Sequence, residues 1–435
     1  MNSRIGATAV RSLAASAQYL VLLTTFLGWM GAGMEMALMV PATRPAIQGF
    51  MAERQAQAAA AARTGQSPAE LNTAADQWLS LFVAAFLLGA AAGGMVFGWL
   101  GDRIGRAKAM GLSILCYSAI SGLSYFATSP GQLLVLRFLA CLGIGGMWPC
   151  GVALLMESVP GMSRAFLAGW IGTSANVGFL LLGLLMLRYP ITPDTWRWVF
   201  LFGGTPFILG ILVWCFLPES PRWLAAVGNP GEATSIRALF RPPYLQRTVL
   251  GIALGTVPLL GGWASGQRLV PWAVQVGEAA GLPQLSAQVL ICWAVGAVVG
   301  SLAGGLVAHK LGDRASYFLM SALSLALSVI TFLYLVPGQP LFLPAAFAVG
   351  LVGTMFFGWL PFFLPTLFPV LYRASGTGIA FNFGRIFSAG VLISSTRLSE
   401  FFLGDVRHMG AATSLIYIVG CLLACFVPRR SDLEP

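Results

Sequence analysis

One stretch of the chain decides its fold: Leu79–Leu100, with the sequence LSLFVAAFLLGAAAGGMVFGWL, which leads into the charged loop Gly101–Lys108. A bilayer core about 30 Å thick needs about 20 apolar residues for each helical crossing, so this run predicts a membrane-spanning helix. Similar runs follow one another along all 435 residues, of which 57% are hydrophobic and only 9% are charged. Soluble globular proteins carry about 25% charged residues, and the composition therefore excludes a soluble enzyme.

Twelve such runs predict twelve transmembrane helices in an all-α polytopic membrane protein. They begin near Gln18, Trp78, Ala109, Leu133, Ala165, Trp196, Val249, Ala287, Ser316, Leu341, Ser375 and Ala411. If the N-terminus is inside, the inner loops and tails hold 15 of the 25 basic residues, and the outer loops hold six. Basic residues concentrate on the cytoplasmic side, so we expect a multi-pass protein of the cytoplasmic membrane with both termini inside the cell.

The same residues exclude several kinds of partner and cofactor. The net charge of +10 comes from basic residues scattered over short loops, which does not indicate nucleic-acid binding. The seven cysteines lie inside apolar runs and both histidines lie in loops, so we expect no metal and no cofactor. The phosphate cradle of an ATP pump is absent, because Lys108 and Lys310, the two lysines, are followed by alanine and leucine. We expect a monomer whose partners are the lipid bilayer, a small solute and protons.

Two motifs recur along the chain at nearly one offset. Gly98–Gly105, near the end of the second run, matches Gly305–Gly312 near the end of the eighth, 207 residues later. Glu157–Arg164, after the fourth run, matches Thr366–Arg373 after the tenth, 209 residues later. Each motif follows an even-numbered run, which predicts two six-helix halves of common design, related by pseudo-two-fold symmetry.

This repeat sets the expected domain boundaries. The N-terminal six-helix bundle comprises residues 1–217 and the C-terminal bundle residues 248–435, and a cytoplasmic linker, 218–247, joins them. The longest outer segment, about 49–77, is rich in alanine and glutamine. We expect this segment to form a helical or mobile cap on the first bundle.

The motifs resemble those of the major facilitator superfamily along the whole chain. Gly98-Trp-Leu-Gly-Asp-Arg-Ile-Gly-Arg106 is similar to its loop signature, and Arg137–Gly146 is similar to its fourth-helix motif. Pro218-Glu-Ser-Pro-Arg-Trp-Leu224, which we call the linker box, resembles a motif of the sugar-porter and organic-ion branches. The chain as a whole also resembles the branch of acid:proton symporters. The resemblance implies two six-helix bundles, a central site between them and alternating access by rocking.

Charged residues inside the predicted spans are the first functional candidates, because each costs at least about 2.5 kcal/mol at the bilayer centre. Of the 15 acids, only Glu35 lies well inside a span. We interpret it as a proton site, with a fixed partner for an intramembrane arginine as the alternative. The resemblance places an arginine at the position of Arg137, which implies a role in gating or proton coupling.

A third charged residue, Arg385, lies about 16 Å deep in the eleventh span, near the midplane. Its forked guanidinium matches a carboxylate, so we assign it to an anionic group of the substrate, with a structural pair to Glu35 as the alternative. The repeat pairs Arg385 with Asn176. Further candidates for substrate contact are polar or aromatic, although a tryptophan in a span more often packs than binds: Asn176, Trp29, Trp263, Gln267 and Asn382.

The loop motifs predict a gating network of charges that breaks when the inner side opens. Gly98 and Gly105 permit close approach and a tight turn, and Asp102 can accept hydrogen bonds from the N-terminus of a neighbouring helix. The expected members are Gly98, Asp102, Arg103, Gly105, Arg106, Glu157, Arg164, Glu219, Arg222 and Arg373. In the second half, His309 and Thr366 replace the acids. The alternative is that these positive charges only set topology.

These features together predict a secondary active transporter, not an enzyme. The motifs H-E-x-x-H and G-x-S-x-G are absent from the sequence. The lone intramembrane acid and the midplane arginine favour a proton-coupled symporter of an organic anion. The alternatives are a neutral sugar or polyol carrier, a drug or metabolite exporter, and a non-transporting sensor on the same scaffold.

Overall fold

A computed structural model describes residues 13–59, 68–227, 236–264, 268–282, 284–393, 402 and 405–428. The helices of the first half are α1 (Ala15–Ala59), α2 (Pro68–Ile104), α3 (Arg106–Ser124), α4 (Pro130–Ser158), α5 (Arg164–Arg188), α6 (Trp198–Gly204) and α7 (Phe207–Phe216). A short helix α8 (Pro221–Val227) and a 3₁₀ turn at Ile236–Phe240 follow in the linker. Across these described ranges the regular structure is helical, without strands.

The helices of the second half are α9 (Leu245–Ala264), α10 (Leu269–Ala280), α11 (Leu285–Leu311), α12 (Asp313–Tyr334), α13 (Phe342–Phe363), α14 (Arg373–Ile393), α15 (Val406–Ser414) and α16 (Ile416–Ala424). Two 3₁₀ turns, Leu364–Leu367 and Val370–Tyr372, connect α13 to α14.

These helices correspond to the twelve predicted spans. The sixth span is divided into α6 and α7, and the twelfth into α15 and α16, while the short helices α8 and α10 are additional to the predicted spans. Within the described ranges, nine helical stretches are long and apolar enough to cross a membrane. The remaining three, α3, α9 and α14, contain 19, 20 and 21 residues, and at 1.5 Å per residue each is about 30 Å long, the thickness of the bilayer core. The all-α, twelve-helix prediction is confirmed.

The first two helices extend beyond the spans that the sequence predicts. α1 continues without interruption to Ala59, across Pro41 and Pro45, and α2 already begins at Pro68. The described parts of the expected cap are therefore continuations of α1 and α2. At 1.5 Å per residue, the 45 residues of α1 span about 68 Å, more than twice the thickness of the bilayer core.

The repeated motif produces the same backbone turn in both halves. A single glycine separates α2 from α3 and another separates α11 from α12: Gly105 with φ 112° and ψ 154°, and Gly312 with φ 82° and ψ 159°. Only glycine populates this region at little cost, so the two turns require glycine at positions 207 residues apart.

The two halves meet mainly where α2 packs on α14 and where α5 packs on α11 and α13. The loop with Asp102, the linker and the start of α14 all lie on one side of the molecule. We call it the inner side, because the excess of basic residues predicts that it faces the cytoplasm.

Candidate substrate cavity and inner gate

A central cavity lies between the two halves, lined mostly by aromatic and small side chains. Its aromatic wall consists of Trp29, Phe179, Trp293, Phe357, Phe381 and Tyr417. Its polar groups are Asn176, Ser324, Ser328, Thr354 and Arg385. Phe179 also lines a second cavity on the outer side, together with Arg44, Pro271 and Gln275. Phe179 thus belongs to the walls of both cavities.

Arg385 is the one charged side chain among the residues that line the central cavity. It lies three turns into α14 and is only 2% exposed. Its guanidinium lies over the rings of Phe86 and Phe381, 5.2 and 5.4 Å from their centroids. Two of its nitrogens, Nε and Nη1, have no hydrogen-bond partner in the described structure. A buried cation with unused donors at a cavity wall is suited to bind an anion.

Asn176 occupies the equivalent position in the first half and faces the same cavity from α5. Its Nδ2 donates to Ser301 Oγ at 2.8 Å and to the Ala297 carbonyl at 3.4 Å, both on α11 of the other half. The Ser301 hydroxyl in turn donates to the Thr354 carbonyl at 3.2 Å. Asn176 therefore joins the two halves at the cavity wall.

Glu35 forms an ion pair with Arg137 and not with Arg385. Arg137 Nη1 lies 3.2 Å from Glu35 Oε2, and Arg137 Nη2 donates to the backbone carbonyl of Glu35 at 2.8 Å. The two residues are 1% and 2% exposed. The fixed-partner arrangement is thus present, with Arg137 as the partner, and Arg385 has no carboxylate partner in the described structure. Neither residue of the pair lines the cavity, but Met36, which follows Glu35 in the chain, forms part of its wall.

Phe86 on α2 connects this ion pair to the cavity. Its ring lies 5.7 Å from the Arg137 guanidinium and 5.2 Å from that of Arg385. Sequence reasoning missed this residue, because a phenylalanine in an apolar run carries no signal of its contacts. The same aromatic ring thus contacts two buried guanidinium groups, one in the ion pair and one at the cavity wall.

The remaining substrate candidates have different positions. Trp29 lines the cavity as expected and is 4% exposed. Asn382 is fully buried, does not line the cavity, and donates to the carbonyls of Gly145 at 3.4 Å and Gly378 at 3.1 Å. Trp263 belongs to α9, but its side chain, like the whole of Gln267, lies outside the described residues.

Asp102 closes the inner side by binding the start of α14 in the other half. Its carboxylate accepts hydrogen bonds from the backbone amides of Ala374 at 3.2 Å and Ser375 at 2.8 Å. Arg106 Nη1 lies 2.7 Å from the same carboxylate. A Cβ on Gly98 would lie 2.9 Å from the Ala374 carbonyl. Glycine at position 98 thus permits the close approach of α2 and α14 that the hydrogen bonds require.

Arg106 and Glu157 form the buried centre of these contacts, which are the candidate inner gate. Arg106 is fully buried, with Nε 3.4 Å from Glu157 Oε2 and Nη2 donating to the Val370 carbonyl at 2.7 Å. Glu157 also binds Arg373 Nη1 at 3.3 Å. Val370 and Arg373 belong to the second half, so both contacts cross between the halves.

The linker box holds the gate residues in place. Glu219 accepts from the backbone amides of Arg106 at 2.8 Å and Ala107 at about 3.1 Å, at the start of α3. Ser220 Oγ donates to Glu157 Oε2 at 2.7 Å, and Trp223 Nε1 donates to the Asp102 carbonyl at 3.0 Å. Sequence reasoning assigned no role to Ser220 or Trp223, although the quoted box contains both.

Three arginines of the expected network lie at its edge or outside it. Arg103 is exposed and lies over the Trp99 ring, 5.0 Å from its centroid. Arg164 is exposed and Arg222 is half-buried, and both line an inner cavity beside the gate. Of the two arginines in the loop signature, Arg103 is exposed and Arg106 is buried, so only Arg106 belongs to the buried part of the gate.

The chain is similar to several known transport proteins. Residues 46–243 match the family model described as "Sugar (and other) transporter". The inner membrane metabolite transport protein YgcS of Escherichia coli is 29% identical over 78% of this chain and 79% of its own length. The cis,cis-muconate transport protein of Acinetobacter baylyi is 27% identical over 79% of this chain and 84% of its own. The solved proton:xylose symporter XylE of the major facilitator superfamily has the same fold, with a TM-score of 0.72 at 17% identity, over 96% of this chain and 97% of its own.

Proposed function

We propose that this chain, which belongs to the major facilitator superfamily of membrane transporters, carries a small organic carboxylate together with protons. The observation that carries the proposal is Arg385, buried at the cavity wall with two unused nitrogen donors. A neutral sugar would leave this charge uncompensated, whereas a carboxylate would neutralise it and accept two parallel hydrogen bonds.

The aromatic wall of the central cavity indicates which kind of carboxylate fits there. Phe381 lies against Arg385 and also stacks on Trp148, with ring centroids 4.0 Å apart. Trp29 and Phe357 continue the same apolar lining. Flat, unsaturated carboxylates bury their carbon skeletons well against such rings, and muconate, named for one of the relatives, is of this kind. We infer a planar mono- or dicarboxylate as the substrate.

The proton site in this proposal is Glu35. Protonation removes the negative charge that faces Arg137, while the bond from Arg137 to the Glu35 carbonyl keeps the guanidinium in place. The freed positive charge then lies near Phe86, whose ring also lies against Arg385, the group that holds the anion in this proposal. Proton binding therefore adds positive charge next to the substrate site, so that proton and anion favour each other's binding.

The outer cavity gives this substrate its path of entry. Contacts between the halves hold the inner side closed, and Phe179 lines both the outer and the central cavity. The conformation is accordingly the one that takes up solute from the outer side.

Uptake into proteoliposomes tests the proposal. We expect radiolabelled muconate to accumulate when an inward proton gradient is imposed, and we expect no accumulation of xylose. Arg385→Ala should lose carboxylate uptake while remaining monodisperse in detergent. Equal uptake of xylose and muconate by the unmodified protein, or normal muconate uptake by Arg385→Ala, would contradict the proposal.

A further inference from the structure

The inner side contains a further cavity beside the gate, and the proposed transport of solute does not explain the residues that line it. It has a volume of about 550 Å³ and lies between the starts of α5 and α14, the linker helix α8 and the start of α9. Its basic residues are Arg164, Arg222, Arg247 and Arg373, and none of the described residues that line it is acidic. Tyr244, whose ring lies 5.7 Å from that of Tyr372, forms part of its wall.

The acids of the gate and the linker, Glu157 and Glu219, already have partners. Glu157 is shared by Arg106, Arg373 and Ser220, at 3.4, 3.3 and 2.7 Å. Glu219 accepts backbone amides at the start of α3.

Among the described residues, carboxylates therefore balance the charge of Arg373 but not that of the other three arginines. Arg164, Arg222 and Arg247 form no ion pair within the described structure; Arg247 Nη1 donates only to the Leu367 carbonyl, at 3.5 Å. About three positive charges are thus left facing one concave space.

The geometry points to a binding site for a phosphate-bearing anion in this inner cavity. Phosphate groups carry up to two negative charges each and accept several charge-assisted hydrogen bonds, for which converging guanidinium groups are well suited. The orientation of the protein in the membrane requires only that the inner loops carry basic residues. It does not require the basic side chains to converge on one space. Arg241 satisfies that requirement from an exposed position outside the cavity. The convergence of the four arginines exceeds what topology alone explains.

Such an anion would hold the inner side closed. Arg164 belongs to the first half and Arg222 to the linker, whereas Arg247 and Arg373 belong to the second half. These groups can contact one anion only while the halves are together on this side. The bound anion would therefore favour the conformation with the closed gate.

Calorimetric titration of the purified full-length protein with pyrophosphate, at ionic strength fixed with chloride, tests this inference. We expect Arg247→Gln to weaken binding about tenfold, the loss of one charge-assisted hydrogen bond. Arg241→Gln removes the same charge six residues earlier in the chain, outside the cavity, and should leave the affinity unchanged. Arg385→Ala should also leave it unchanged, which separates this site from the proposed transport site.

Nanodiscs of two compositions identify the source of the phosphate. If the natural ligand is a lipid headgroup, phosphatidylglycerol should weaken pyrophosphate binding relative to pure phosphatidylcholine, by competition. If it is a soluble phosphate compound, the affinity should be equal in both membranes. The inference is overturned if pyrophosphate does not bind, if Arg247→Gln and Arg241→Gln have equal effects, or if Arg385→Ala abolishes the binding.

Discussion

Two arginines are buried equally in the spans, and the difference between their partners separates their roles. Arg137 has a carboxylate at 3.2 Å, whereas Arg385 has two aromatic faces and unused donors. A cation–π contact contributes about 0.5–2 kcal/mol and leaves the N–H donors free for another group. Arg385 is thus held in place by its rings while its donors remain available for substrate.

Arg385→Lys tests whether the forked shape of the guanidinium matters as well as its charge. We expect at least about tenfold weaker carboxylate binding, because an ammonium cannot form two parallel hydrogen bonds to one carboxylate. Binding of radiolabelled muconate by purified protein measures the change. Arg188→Lys, at the exposed end of α5, is the matched control and should bind normally. Unchanged affinity in Arg385→Lys would remove the argument for a bidentate contact.

Glu35→Gln tests the coupling of transport to protons. We expect the variant to lose accumulation driven by a proton gradient but to retain exchange of labelled for unlabelled solute, because exchange needs no net proton movement. Both are measured in proteoliposomes. Asp194→Asn, an exposed acid, is the control and should accumulate solute normally. A Glu35→Gln protein that still concentrates solute would show that Glu35 is not the proton carrier.

At the scale of elements, two helix N-termini on the inner side are capped by carboxylates from elsewhere in the chain. Asp102 caps α14 and Glu219 caps α3, both favoured by the positive end of the helix dipole. The first contact joins the two halves, and the second joins the linker to the first half. Opening of the inner side must therefore break the Asp102 contact but can leave the Glu219 contact intact.

Asp102→Asn should shift the protein toward the inward-open state. The asparagine amide places N–H donors against the amides of α14, which costs about 1–3 kcal/mol, and Glu157→Gln should act in the same direction. The reporter is Ala374→Cys, with the seven native cysteines replaced by alanine; position 374 is fully buried while the gate is closed. We expect about tenfold faster labelling by a maleimide from the inner side.

Glu219→Gln is the matched control for this experiment. It weakens a cap that stays within one half and the linker, so it should lower thermal stability without accelerating the labelling at position 374 of the reporter protein. Equal labelling rates in all variants would indicate that the motif sets topology only.

The two glycine turns, at Gly105 and Gly312, allow the energetic cost of a side chain at positive φ to be compared between two sites. Both have positive φ, so alanine at either costs about 1–3 kcal/mol. A Cβ at Gly105 would also lie 2.1 Å from Glu219 Oε2, whereas Gly312 has open space around it. We expect Gly105→Ala to lower the unfolding temperature in detergent more than Gly312→Ala does. An equal loss would mean that contact with the linker box adds nothing to the turn.

At the scale of the whole molecule, one chain supplies every part of the proposed transport path. The central cavity takes its walls from both halves, and the inner gate joins the same two halves. A second copy is not needed to complete either site. We therefore expect a monomer of 46.0 kDa by light scattering after subtraction of the detergent. A mass twice as large in several mild detergents would contradict this expectation.

The sequence by itself determined the features that depend on composition and spacing. Apolar runs of about 20 residues fix the helices, since a helix satisfies its own backbone hydrogen bonds in lipid. The motifs 207 residues apart, which include Gly105 and Gly312, predicted matching turns in the two halves, and the structure shows them. The sequence alone identified Glu35 and Arg385 as candidate functional residues, because charged residues are rare within apolar runs.

Only the tertiary structure decided which of these residues meet. Sequence spacing could not choose between Arg137 and Arg385 as the partner of Glu35, nor show that Phe86 lies against both arginines. It could not distinguish Asn382, whose side chain packs against Gly94 and Gly145 of neighbouring helices, from Asn176 at the cavity wall. The physical reason is that helix rotation and crossing in a bundle are set by packing between helices, and residues far apart in sequence become neighbours only through it.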